Sequence, residues 1–155
     1  MANGFDFKRL RRQIVIYVVV QIFLVALLVF MALNFQGQFQ AKGTPRIFIN
    51  SIVATLVIQL MIFYPLNKFA AREAEQEIAA CKINLSPDEM KEQRRKRLYG
   101  DFIKAAIFIF FLTFIARSPA ATFVMSTTFF TFILTILTYF QCFNFAAKRG
   151  IRAKG

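Results

Sequence analysis

The sequence predicts an all-α integral membrane protein: four transmembrane helices arranged as two antiparallel hairpins, with a short helical cytoplasmic loop between them. Three observations point there. Residues 13–41, 47–67 and 118–147 carry no charge, giving runs of 29, 21 and 30 residues, and about 20 apolar residues take a helix across the hydrocarbon core. Hydrophobic residues make up 57% of the 155 and charged residues 18%, against roughly 45–50% and about 25% in soluble domains. Of the 20 Lys and Arg, 17 lie in segments that four spans would bring to one side, as the positive-inside rule requires of a cytoplasmic face. Residues 1–155 therefore read as a single membrane domain.

Span 1 is expected at 13–34. Its apolar run exceeds the 7–15-residue core of a signal peptide and no small-x-small cleavage site follows, so it is read as a retained span. Lys8, Arg9, Arg11 and Arg12 precede it and assign the N-terminus to the cytoplasm. The connection 35–46 holds Gly37, Gly43 and Pro45, residues that mark turns. Span 2 is expected at 47–67, with Pro65 placed to kink its end.

The loop 68–100 is the one sizeable aqueous segment. Residues 69–83 are rich in strong helix formers and continue span 2. Ser86, Pro87 and Glu89 then read as an N-cap, a first helical residue and the closing member of a capping box. The second loop helix runs from Pro87 to about Leu98, through Arg94, Arg95, Lys96 and Arg97, which suit a helix C-terminus. Gly100 is expected to separate it from span 3.

Span 3, at 101–116, is the shortest: only 105–116 lacks charge. Lys104 and Arg117 are expected to snorkel to opposite head-group layers along their aliphatic stems; a re-entrant hairpin is the alternative. Ser118 and Pro119 suggest a tight turn before span 4 at 120–143. The ends of spans 2 and 4 echo one another, NKFAAR at 67–72 and NFAAKR at 144–149. A parallel duplication would leave that mark, and so would shared demands at two cytoplasmic exits.

Composition excludes several chemistries. There is no His, hence no His-ligated haem and no imidazole base. Two distant cysteines, Cys81 and Cys142, form neither a disulfide framework nor a metal site. No metal or other cofactor is expected. Cys81 beside Lys82 raises a redox or palmitoylation role against that of a plain cytosolic thiol. The net charge of +12 follows from topology and from affinity for anionic head groups, so nucleic acid is not an expected partner. Apart from Asp101 at the boundary of span 3, no Asp or Glu falls within a span, which argues against a proton-coupled transporter.

Uncharged polarity remains. Gln13, Tyr17 and Gln21 recur at four-residue spacing in span 1, as do Ser51, Thr55 and Gln59 in span 2. Thr128, Thr131, Thr135 and Thr138 form a stripe in span 4. Such spacing puts each set on one helix face. The stripes, and Gln21 and Gln59 above all, serve either helix–helix hydrogen bonding or the lining of a water-filled path. No GxxxG occurs in a span, so Gly-mediated close packing has no support. Phe, 21 residues in all, crowds spans 3 and 4 around much of each helix, as suits lipid or a large partner surface. Arg94, Arg95, Lys96 and Arg97 are candidate contacts for anionic lipid.

The function expected from this pattern is that of a non-catalytic membrane subunit packing against itself, as a homo-oligomer, or against other membrane subunits in a lipid bilayer. The expected location is the bacterial inner (cytoplasmic) membrane, with both termini cytoplasmic. The alternatives are an oligomeric channel lined by the Thr stripe, and a small lipid- or quinone-binding enzyme or carrier.

Overall fold

A computed structural model describes residues 4–117 and 121–154. Four helices make up nearly all of it: α1 (Lys8–Ala41), α2 (Pro45–Ala79), α3 (Pro87–Arg117) and α4 (Thr122–Lys154). All four are long and apolar enough to cross a membrane. At 31 to 35 residues and 1.5 Å per residue they measure roughly 47–53 Å, well beyond the ~30 Å of a hydrocarbon core. Residues 4–7, the 80–86 connection and the close of α4 meet at one end of the bundle; we refer to this as the basic end.

Two connections differ from expectation. The turn predicted over 35–46 contracts to Lys42, Gly43 and Thr44, because α1 continues through Gly37 to Ala41. Phe35 and Phe39 are buried one turn apart against Phe130 and Phe48, and that packing holds the last turns of α1 helical. The helix ends in a Schellman motif: Gly43 takes φ +67°, its N–H donates to Gln40 O at 2.9 Å, and the Thr44 N–H donates to Phe39 O at 2.9 Å. Glycine adopts that φ without a Cβ penalty. Pro45 then opens α2 at the first helical position.

The second difference is at Gly100. The sequence suggests a break there, yet α3 runs unbroken from Pro87 to Arg117. Gly100 is buried, and a Cβ on it would collide with the Glu73 carboxylate. The glycine therefore permits close approach between α3 and α2. The capping box before it forms as expected: the Glu89 N–H donates to Ser86 Oγ at 3.2 Å and the Ser86 N–H to Glu89 Oε2 at 2.8 Å. The turn expected at Ser118 and Pro119 lies outside the described residues.

The core is a pair of helices distant in sequence. Ser51 meets Ser126, Gln59 meets Thr135 and Thr138, Glu73 meets Tyr139, and Ile78 lies against Gly150. Residue number rises along both, so α2 and α4 run parallel. Their seam is built from small residues: Ser51, Ala70, Ala74, Ser126 and Ala147 have essentially no exposed surface, which lets the backbones approach as Gly does in GxxxG pairs. The echo at 67–72 and 144–149 falls here; Ala70 and Ala147 are both small because the two helices meet at them.

Two apolar clusters bracket the bundle. One, at the basic end, joins Phe7, Leu10, Ile14, Ala74, Ile78 and Phe143. The other joins Phe35, Phe39 and Phe130 near the 42–44 turn. Residues 4–7 are tied to the α2–α3 connection by bonds from Asp6 N to Cys81 O and from Ile83 N to Gly4 O, both 2.9 Å. α1 packs on α4 and α2; α3 touches the same pair from elsewhere, and α1 and α3 do not pack on each other.

Candidate functional site

Four helices present polar residues to a common space at the basic end, each at helical spacing. α1 supplies Arg9, Arg12, Gln13 and Tyr17; α2 supplies Glu73, Gln76 and Glu77; α3 supplies Gln93, Arg97, Asp101 and Lys104; α4 supplies Tyr139 and Phe143. Residues three and four apart share a helix face, so each set forms one wall. The walls border an open-sided cavity of about 340 Å³.

Glu73 is the deepest charge. It is 9% exposed, and its Oε2 accepts the Tyr139 hydroxyl while Lys104 Nζ lies 3.1 Å from Oε1. Lys104 also pairs with Asp101 Oδ1 at 2.9 Å, and its ammonium lies 5.8 Å from the centre of the Tyr139 ring. A carboxylate so far from water requires partners of this kind. Beside it, Arg97 grips Glu77 through two bonds, Nε to Oε1 at 2.8 Å and a terminal nitrogen to Oε2 at 2.9 Å; this is the planar fork that lysine cannot reproduce. Gln13 Nε2 donates to the Tyr17 hydroxyl at 3.0 Å, and the Tyr17 ring packs on Phe140 and Phe143.

This geometry corrects the snorkelling assigned to Lys104, which turns inward to Glu73. It also divides the basic cluster. Arg94, Arg95 and Lys96 are exposed, Lys96 pairing with Glu92 at 2.6 Å, while Arg97 faces the cavity. The sequence contained a signal for the site: Glu73, Gln76 and Glu77 on α2, and Gln93, Arg97, Asp101 and Lys104 on α3, repeat at helical spacing across the segment read as loop and the first turn of span 3.

The polar stripes of the spans meet along the α2–α4 seam. Gln59 Nε2 donates to Thr138 Oγ1 at 2.8 Å and to Leu134 O at 3.4 Å. Thr135 Oγ1 donates to Thr131 O at 2.7 Å and lies 3.4 Å from Gln59 Oε1. Gln21 reaches α4 from α1, donating to Leu137 O at 3.4 Å and accepting from Asn144 Nδ2 at 3.4 Å. The Thr131 hydroxyl is buried without a partner, and Thr128 is half-buried. Five of the six residues singled out, Gln21, Gln59, Thr131, Thr135 and Thr138, thus lie at or beside helix contacts.

Cys81 is a quiet thiol. Its Sγ donates to Glu77 O at 3.2 Å; burial, then the charges of Glu77 and Asp6, raise its pKa above the usual thiol value. That disfavours the thiolate on which redox chemistry depends.

Comparison with protein-family models, with curated proteins and with solved structures finds no match.

Proposed function

We propose that the chain is a non-catalytic integral membrane subunit that assembles through helix packing with copies of itself or with other membrane subunits. It inserts as two antiparallel hairpins, α1–α2 and α3–α4, in a bacterial inner membrane. Both termini and the 80–86 connection face the cytoplasm, where the basic residues collect.

The observation that carries this reading is the state of α3. Of its 31 residues only Gly100 is buried. The helix is held at the basic end by Arg97 and Lys104 and higher up by Phe108 and Phe111 against Phe132. Phe102, Ile109, Phe110 and Phe114 stay exposed. Lipid offers no hydrophobic drive to collect helices, so a span stays in place through packing and hydrogen bonds. The chain itself gives α3 little of either, and a second protein surface supplies more. The α2–α4 seam favours packing over a pore, because Gln59, Thr135 and Thr138 bond across it.

Native mass in mild detergent tests the assembly: a multiple of 17.9 kDa, or a larger complex, is expected. In a variant with Cys81 and Cys142 changed to Ser, Phe110→Cys should form a disulfide-linked species in membranes. A monomeric mass together with no crosslink refutes assembly. Reporter fusions after Lys154 and at Gly43 should report opposite compartments; identical readings refute the topology.

A further inference from the structure

We infer that the cavity at the basic end is a binding site for the phosphate of a glycerophospholipid, its acyl chains lying in the gap between α1 and α3. The inference rests on the insertion proposed above, because that insertion sets the cavity at head-group depth.

Charge is the first ground. Arg9, Arg12, Arg97 and Lys104 line the space with Glu73, Glu77 and Asp101, leaving one net positive charge. The three carboxylates already have cationic partners: Glu73 and Asp101 share Lys104, and Glu77 holds Arg97. Among the described residues neither Arg9 nor Arg12 pairs with a carboxylate. The lining thus offers two arginines free for an anion, with Gln13 and Tyr17 beside them. One phosphodiester balances the net charge and matches the planar fork of arginine.

Position and shape are the second ground. The uncharged run of α1 begins at Gln13 and that of α3 at Ala105, so Arg12 and Lys104 stand where hydrocarbon gives way to head groups. A space of about 340 Å³ holds a glycerophosphate with a few waters, at about 30 Å³ per water. α1 and α3 form opposite walls without packing on each other. Between them α4 carries Phe143 and Tyr139 into the cavity, and the half-buried Ile136 continues the same helical face away from it. Ile16 and Tyr17 supply apolar surface at the rim. A polar pocket continued by an apolar gap suits a molecule with a charged head and two chains, and a free anion uses only the first part.

The experiment uses the full-length protein in mild detergent. Native mass spectrometry counts bound lipid while phosphatidylglycerol, phosphatidylcholine or inorganic phosphate is titrated. One phosphatidylglycerol per chain is expected, held about tenfold or more tightly than by the Arg9→Gln, Arg12→Gln variant, since each lost arginine removes a charge-assisted bond. The Arg94→Gln, Arg95→Gln variant, altered on the exposed patch, should match the wild type. Unchanged helical circular dichroism and unchanged thermal midpoints in both variants exclude misfolding. Equal losses in the two variants overturn the inference in favour of diffuse surface attraction. Saturation by inorganic phosphate, which then displaces the lipid at equal concentration, overturns the lipid as occupant. Because the same spectrum reports oligomeric mass, a monomer that retains one lipid, together with no Phe110→Cys crosslink in membranes, refutes assembly and leaves this site standing.

Discussion

Glu73→Gln tests whether the buried charge cluster holds the basic end together. Glutamine keeps the volume, and its Oε1 can still accept the Tyr139 hydroxyl, so the change removes the charge above all. Breaking a fully buried ion pair from one side costs about 3–5 kcal/mol, whereas an exposed pair is worth about 0–1 kcal/mol. Lys104 lies between these limits: its side chain is 35% exposed, and Asp101 remains as a partner at 2.9 Å. The expected cost is therefore about 2 kcal/mol, below the fully buried figure because Lys104 keeps water and one carboxylate. Unfolding in defined micelles, followed by circular dichroism against denaturant, gives the value. Glu75→Gln, two residues on and exposed, is the control and should stay within about 0.5 kcal/mol of wild type. Lys104→Met completes a double-mutant cycle, in which the two changes should couple by about 1 kcal/mol or more. A Glu73→Gln loss no larger than the control's, or no coupling to Lys104, would refute the pairing and restore the snorkelling lysine.

Gly100→Ala separates two readings by sign. A break-forming glycine in an exposed helix gains about 1 kcal/mol on replacement by Ala; here the new Cβ meets the Glu73 carboxylate, and destabilisation of about 1–3 kcal/mol is expected in the same unfolding assay. Thr135→Val should cost about 0.6–1.7 kcal/mol through lost bonds, whereas Thr131→Val, which removes an unpartnered buried hydroxyl, should be neutral or stabilising. Liposomes carrying either variant or the wild type should show background ion flux, and wild-type conductance abolished by both changes would establish the channel instead. Ser86→Ala removes the cap of α3 and should cost about 1 kcal/mol. The bonds from Ser86, then the charge of Lys82, hold the Glu89 carboxyl below its ordinary value. A lowered folded value gives stability that is present above the unfolded value and lost as pH falls through the folded one. Acid titration of helicity should thus show a smaller loss in Ser86→Ala than in wild type.

The elements were readable in advance for a simple reason. Charge-free runs, the Gly43-Thr44-Pro45 punctuation and the Ser86–Glu89 box are local patterns, and each acts within a few residues of itself. The four helices follow from them, and with them the starts of α2, α3 and α4; α1 and α4 run several residues past their expected closes at 34 and 143. The readings at Gly37 and Gly100 failed because both rested on propensity alone. At Gly37 the burial of Phe35 and Phe39 on either side outweighs a turn preference of about 1 kcal/mol. At Gly100 the glycine answers to Glu73, 27 residues earlier in the chain.

The site shows the same division. The sequence by itself determined that four apolar helices exist, that their basic residues gather at one end, and that Gln21, Gln59 and the threonines of α4 lie on helix faces. It could not determine which face meets which. Four alternating spans already give α2 and α4 one direction; tertiary structure alone decided that they lie side by side, with Ala70, Ala74 and Ala147 small for that reason. It alone turned Lys104 from lipid toward Glu73, and parted Arg97 from Arg94, Arg95 and Lys96. Helical periodicity fixes the angle at which a side chain leaves its own axis, while the neighbour it finds depends on the rotation and depth of another helix. Those are set by packing small residues closely and by finding partners for buried charges, and both conditions join residues far apart in the chain.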